Sequence, residues 1–265
     1  MPSAIKLSAP ATREFWEIPV LFEDDQLLAL DKPAGLLISP DRATPERPNL
    51  TGLLHEAIAA GKPWAVERQL TYLANTHRLD GEASGILLLA KSKPVLVALA
   101  NLFSSEKPES RQVALVHGSP KEDHFEVNAK LAPHPLTPGM MRVDPREGKK
   151  ASTRFEVLER FPDHTLLRCQ PVTGRPHQIR VHLQNSGLRI VGDALYGGAP
   201  LLLSRLKQDY RLKPGRTERP LLARVTLHAE QLALPHPVTG ETVTITSPWP
   251  KDLRVAVKYL REFAT

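Results

Sequence analysis

The stretch Thr76-His77-Arg78-Leu79-Asp80-Gly81-Glu82-Ala83-Ser84-Gly85-Ile86-Leu87-Leu88-Leu89-Ala90-Lys91 decides how this chain is read. Polar and charged residues crowd its first part, and an unbroken apolar run follows from Ile86 to Ala90. That run is bounded by Gly85 and Lys91, so it reads as a buried strand, far too short to span a membrane. Asp80 therefore sits in a glycine-bounded turn directly before a buried strand. A carboxylate in that setting is held rigidly where a ligand can reach it. A solvated turn with a local Asp cap has the same composition, so the stretch alone leaves both readings open.

Outward from this stretch the pattern is one of short strands and a few helices. Gln26–Leu30 reads as a strand closed by the turn Lys32-Pro33-Ala34-Gly35. Asn49 is placed to cap a helix whose apolar positions Leu50, Leu53, Leu54, Ala57 and Ile58 fall at helical spacing, with Gly61 as its stop. Val95–Phe103 reads as the helix after the buried strand. Val113–Val116, Thr153–Leu158 and Thr165–Cys169 read as strands, and Gln231–Leu234 with Thr242–Thr246 as a hairpin. Leu253, Ala256, Val257 and Leu260 mark an amphipathic C-terminal helix. Without regular alternation of strand and helix, the fold class is α+β with a central mixed, mostly antiparallel sheet. Residues 1–18 read as a loose N-terminal arm, and a boundary within the body is expected in the Pro-rich stretch Gly118–Pro138.

A second polar segment is Thr173-Gly174-Arg175-Pro176-His177-Gln178-Ile179-Arg180-Val181-His182-Leu183. Pro176 suits the first turn of a helix that runs to about Ser186 and stops at Gly187. Such a helix start presents backbone N–H groups beside cationic and amide side chains, which suits an anion such as phosphate. A plain amphipathic helix with a basic outer face fits the same residues. His177 and His182 do not share a helical face, which argues against a metal site here.

Composition bounds the rest. The chain has 265 residues, 35 Lys+Arg against 29 Asp+Glu, 25 Pro and one Cys. At roughly 150 residues per domain, that is one large domain or two packed halves. Scattered Pro fits short strands better than a helical bundle. The lone Cys169 excludes a disulfide framework and a Cys-based zinc site, and it fits a reducing cytoplasm. The N-terminus lacks the apolar core of a secretory signal. A formal net charge of +6 permits a polyanionic partner.

Together the segments resemble the RluA-like family of RNA pseudouridine synthases. His77-Arg78-Leu79-Asp80 with Ser84–Lys91 is similar to the central catalytic motif of that family. Gly174–Leu183, followed by Gly187 and by Gly192-Asp193-Ala194-Leu195-Tyr196-Gly197, resembles its second signature. Asp31-Lys32-Pro33-Ala34-Gly35-Leu36, Lys150-Ala151-Ser152-Thr153, Leu227-His228-Ala229 and His236-Pro237 add weaker support in the same order. The resemblance runs from about Val20 to Asp252.

The resemblance implies isomerisation of uridine to pseudouridine in ribosomal or transfer RNA, in the cytoplasm, with no metal or organic cofactor and a monomeric enzyme. It makes Asp80 the catalytic nucleophile and 19–265 a single catalytic domain, with an arm too short for a separate RNA-binding domain. It assigns Arg180 as the basic partner that keeps the Asp80 carboxylate ionised, and Arg78 as the residue that helps displace the target nucleotide from its stack. The sequence departs from the family pattern at Gln112, where a tyrosine is expected, and at Ala83, where threonine is usual. An amide neither stacks like a phenol nor acts as a base, so Gln112 implies weak or substrate-restricted isomerisation, or an impaired RNA-binding paralogue. Tyr72 and Tyr196 are the available substitutes. Arg142, Arg146, Lys149 and Lys150 form a basic stretch suited to an RNA backbone. A two-carboxylate glycosidase would need a second acid near Asp80, and a tight turn projects the nearest, Glu82, to the opposite side.

Overall fold

The computed structural model describes residues 4–41, 44–105, 108–207, 209–212 and 215–264. The chain divides into two compact units: residues 1–110 with 229–247, and residues 111–228 with 248–265. The expected boundary in Gly118–Pro138 is thus displaced to Ser110/Arg111. The reason is that the Pro-rich stretch serves as internal connections of the second unit and carries short strands of its own. No helix among the described residues is long and apolar enough to cross a membrane.

The first unit opens with strands β1 (Ala4–Ala9), β2 (Glu14–Glu23) and β3 (Leu27–Lys32). Helices α1 (Leu50–Ala59) and α2 (Pro63–Glu67), strands β4 (Ala74–Asn75) and β5 (Ser84–Ala90), and helix α3 (Lys93–Ser104) follow. β1 pairs with β2, β2 with β3, and β3 with β5, all antiparallel. Of the residues expected to form a loose arm, 4–9 form β1 and 14–18 the start of β2, while 1–3 lie outside the described residues. Ile5 and Ile18 are fully buried and Leu7 nearly so, because strand alternation turns these apolar positions to one face. The Asn49 cap sits where the sequence put it, its side chain accepting from Gly52 N–H, and Ser92 caps α3 in the same way by accepting from Val95 N–H.

The second unit contains β6 (Glu109–His117, from Arg111 onward), β7 (His124–Asn128), β8 (Leu131–Pro133) and β9 (Met141–Val143). After these come β10 (Ser152–Arg160), β11 (His164–Pro171), α4 (Gln178–Asn185), β12 (Arg189–Ile190) and α5 (Leu203–Leu206). β13 (Leu227–Pro235) then carries the chain back into the first unit, where it forms the expected hairpin with β14 (Thr242–Thr246). Helix α6 (Lys251–Phe263) closes the second unit.

Within the second unit β6, β11, β10 and β7 form consecutive antiparallel pairs. One face of this sheet carries Val113, Leu115 and Leu166, which pack against Leu253, Ala256, Val257 and Leu260 of α6. The alternate residues face the other way: Gln112 and Ala114 on β6, Leu167 and Cys169 on β11, and Thr153 and Phe155 on β10. α4 lies against this second face, because Gln178 and His182 both hydrogen-bond Thr153. The sheet thus places Gln112 and the helix that carries Arg180 on the same side of the second unit.

Candidate active site

In the first unit, three alternating residues anchor the segment 77–81. His77 stacks on Phe103 with ring centroids 5.1 Å apart, and its Nε2 accepts the Leu88 N–H at 2.9 Å. Leu79 packs into the apolar clusters on both faces of the sheet. The Gly81 carbonyl accepts from Gly35 N–H at 2.8 Å and from the Lys32 ammonium at 3.1 Å. Between these anchors lie Arg78, which is exposed, and Asp80, which is half-buried. The segment is thus fastened at 77, 79 and 81, and its two charged residues alternate with these anchors.

Lys32 is fully buried, yet its ammonium donates to the carbonyls of Pro33 at 2.8 Å, Leu36 at 2.8 Å and Gly81 at 3.1 Å. An ammonium has three protons, and a buried one is tolerable only when each is satisfied. The turn 33–36 and the residue after Asp80 are therefore locked to one cation. On the far side of the loop, Gly85 of β5 has φ +109°, and a Cβ there would lie 2.3 Å from the Ala229 carbonyl oxygen, so only glycine fits at this position of the strand.

In the second unit, α4 starts later than the sequence predicts. His177 adopts a left-handed conformation with φ +51°, so Pro176 lies in the preceding turn and Gln178 is the first helical residue. The Gln178 side chain accepts from the Thr173 hydroxyl and Arg175 N–H, and donates to the Ser152 carbonyl and Thr153 hydroxyl, at 2.7–3.0 Å. His182 Nε2 donates to the Ala129 carbonyl at 3.1 Å, which leaves Nδ1 to accept from Thr153 Oγ1 at 2.9 Å. Burial lowers the His182 pKa. The Arg175 and Gln178 N–H groups expected to face an anion are used internally, the first by the Gln178 side chain and the second by the Arg175 carbonyl.

Arg180 is buried, and its Nε and Nη2 donate to the two carboxylate oxygens of Asp193 at 2.8 and 2.7 Å. The guanidinium lies over the Tyr196 ring, 4.9 Å from its centroid. The Tyr196 hydroxyl accepts Met141 N–H at 2.9 Å and lies 2.8 Å from His177 Nδ1. Its phenol is thereby committed to packing and hydrogen bonds within the second unit. The four cations of the expected RNA-contacting stretch, Arg142, Arg146, Lys149 and Lys150, are all exposed; Asp144 shapes their turn by accepting from Arg146 N–H, Glu147 N–H and the Arg142 side chain.

A family model described as RNA pseudouridylate synthase matches residues 26–185, well over half of the chain. The chain belongs to this family. It is 36% identical over 244 residues to the ribosomal large subunit pseudouridine synthase D of Xanthomonas campestris pv. campestris, covering 92% of this chain and 69% of that one. It is also 36% identical over 242 residues to the ribosomal large subunit pseudouridine synthase C of Vibrio vulnificus, covering 91% and 69%. Among solved structures, human RNA pseudouridylate synthase domain containing 4 has the same fold, with a TM-score of 0.67 at 23% identity over 91% of this chain and 92% of that one. The protein is thus an RNA pseudouridine synthase, an isomerase that converts uridine to pseudouridine in RNA.

For this synthase, sequence reasoning named Asp80, Arg78, Gln112 and Arg180. The structure places the first two side by side on one anchored loop, and the last two on one side of the second unit's sheet. It missed the service of Lys32 to the loop and the pairing of Asp193 with Arg180, although both residues stand inside the quoted motifs. Their signal was an ionisable residue embedded among apolar and glycine neighbours.

Two predictions follow from the loop. Lys32→Met keeps the length of the side chain but removes the ammonium donor from three carbonyls, of which Gly81 retains the Gly35 N–H. It should cost on the order of 3 kcal/mol in urea unfolding and slow pseudouridine formation even where the protein is fully folded. Burial lowers the His77 pKa from 6.5 to about 4, so the unfolded chain binds the proton first as pH falls. The contribution of His77 is complete above pH 6.5 and is lost progressively between pH 6.5 and about 4. His77→Gln, whose amide oxygen still accepts the Leu88 N–H, should show a shallower fall in stability across that interval than wild type.

Proposed function

We propose that this synthase acts on ribosomal RNA, with Asp80 as its nucleophile. The observation that carries the reading is the fastening of residues 77, 79 and 81, which immobilises the backbone on both sides of Asp80. Relatives sharing about a third of their residues with this chain are named for the large ribosomal subunit, which favours ribosomal over transfer RNA. A basic chain with one buried Cys fits the reducing cytoplasm where such RNA is found.

The chemistry asks three things of the residues. The N1–C1′ glycosidic bond must break, the uracil must turn, and a C5–C1′ bond must form, with the C5 proton lost and a proton gained at N1 so that the product is an isomer. An ionised carboxylate at Asp80 attacks or stabilises the sugar carbon while the base is detached. Arg78, exposed beside it, fills the place of the displaced nucleotide, since the reacting atoms are unreachable in a stacked helix. Arg180, in the second unit, supplies the fixed cation that favours the charged carboxylate; this role rests on the resemblance. By the resemblance, Gln112 stands where the family pattern has a tyrosine, so loss of the C5 proton proceeds without a phenol from that position. The enzyme acts as a monomer.

Single-turnover conversion of transcribed large-subunit ribosomal RNA, read by nucleoside mass spectrometry, tests the whole reading. Asp80→Asn should abolish pseudouridine formation and leave RNA affinity intact. Turnover that survives the loss of that charge would remove Asp80 from the mechanism. Gln112→Tyr should raise the single-turnover rate on the order of a hundredfold, the lower end of what a positioned acid–base group contributes. A slower Gln112→Tyr would show that another group has taken over the proton transfer. Conversion of transfer RNA alone would redirect the substrate, and no conversion by either protein would identify an RNA-binding paralogue.

A further inference from the structure

The Arg180–Asp193 pair is almost entirely withdrawn from water, with each side chain about 1% exposed. A buried ion pair of this kind contributes little net stability, because the desolvation of two charges offsets their attraction. Nor is the pair needed to hold α4 in place. Gln178 and His182 already fasten that helix to β10 and to the Ala129 carbonyl, with their hydrogen-bonding groups engaged. What the pair does supply is a guanidinium of fixed direction. A carboxylate gripping Nε and Nη2 sets the plane of the fork and the direction in which Nη1 is presented. The Tyr196 ring supports the same plane at 4.9 Å, and the Tyr196 hydroxyl is held by Met141 N–H and His177 Nδ1. His177 bears the left-handed backbone that brings its ring to the Tyr196 hydroxyl, a conformation unusual for a residue with a Cβ. Gly192 fixes the other end: with φ +77°, its Cα sits where a Cβ would lie 2.0 Å from the Arg224 carbonyl oxygen.

We propose that Asp193 is a positioning residue for the isomerisation, with Tyr196 as its support: together they aim the Arg180 guanidinium, and neither needs to touch the uridine. The inference rests on the reading of Arg180 as the cation that assists the Asp80 carboxylate, and the experiment separates the two. Asp193→Asn keeps the shape but turns one acceptor into an N–H₂ group that faces a guanidinium N–H, so the fork must rotate away. A misplacement of about 1 Å at a reacting group costs on the order of a hundredfold in rate.

The test compares wild type, Asp193→Asn, Tyr196→Phe and Arg180→Ala by thermal unfolding, RNA affinity and the pH profile of the single-turnover rate. For Asp193→Asn the expected result is unchanged RNA affinity, a rate lowered about a hundredfold, and an acid limb displaced to higher pH, because a positioned cation has been lost from a carboxylate. A displacement to lower pH would mean that Asp193 merely neutralises Arg180, and an unchanged profile in a destabilised protein would mean a structural role; either overturns the proposal. Tyr196→Phe keeps the ring and should lose only a few-fold in rate, with the same direction of displacement. Full activity in Arg180→Ala would sink the reading of Arg180 itself, whereas an inactive Arg180→Ala beside a fully active Asp193→Asn would sink only the positioning role. Should the Asp193 variant fail to fold, the wild-type protein still decides. The Arg180 Nε–H, assigned by its disappearance in Arg180→Lys, should give an exchange-protected ¹⁵N signal, and a rapidly exchanging one would refute a fixed guanidinium.

Discussion

A buried ammonium ion surrounded by main-chain carbonyls governs the geometry of the loop that carries Asp80. Lys32 joins the carbonyls of Pro33 and Leu36 to that of Gly81, so the turn after β3 and the residue after Asp80 share one donor. Such a centre has a steep response. Any displacement of Gly81 leaves part of a charge unsatisfied in a place water does not reach, and the cost of that exceeds the loss of an ordinary hydrogen bond. Gly81 is also confined sterically, since a Cβ there would lie 2.8 Å from Leu37 Cδ2. The loop contributes only Leu79 to the apolar clusters, too little to define its conformation by burial. It is defined instead by satisfying a charge.

The second unit reaches the same end with neutral groups. Thr153, fully buried, accepts from Gln178 and donates to His182, and these bonds fix α4 before any charged residue on it is considered. The polar network is complete in itself, which is the condition under which buried polar groups specify a single arrangement. Arg180 is thereby placed by a frame that does not depend on its own charge. That separation is what allows the Arg180–Asp193 pair to be read as aiming a side chain, because the frame would stand without it.

Legibility in the sequence followed the range of the interactions involved. Asn49 and Ser92 cap helices by bonds three residues away, and the apolar spacing of Leu253, Ala256, Val257 and Leu260 is a property of one helix, so all of these are local signals. Pro176 misled by a small margin, since its helical preference is local but the left-handed turn at His177 that delays the helix is set by the contact with Tyr196. The first strand was missed because Ile5, Leu7 and Ala9 give too few alternations to stand out before their partner, β2, is known. Lys32 and Asp193 were quoted within motifs, but a charged residue is read as exposed until a distant carbonyl or guanidinium is brought to it. Their roles are tertiary by nature.

Gln112 shows what can be read from a strand once its register is known. Alternation along β6 groups it with Ala114, and the pairing with β11 sets Cys169 directly opposite. Both neighbours are small. On the β11 side, a larger side chain at position 112 therefore meets the small Cys169, and the amide itself is half-buried. Volume is the usual reason that a residue facing the interior of a sheet cannot be changed for another. With that reason weak on the β11 side, the difference between glutamine and tyrosine at this position includes one of chemistry. An amide offers hydrogen-bond donors and an acceptor and cannot take a proton, whereas a phenol offers an aromatic face and an acid–base group. On the proposed reading, the residue at 112 therefore bears on how the C5 proton leaves.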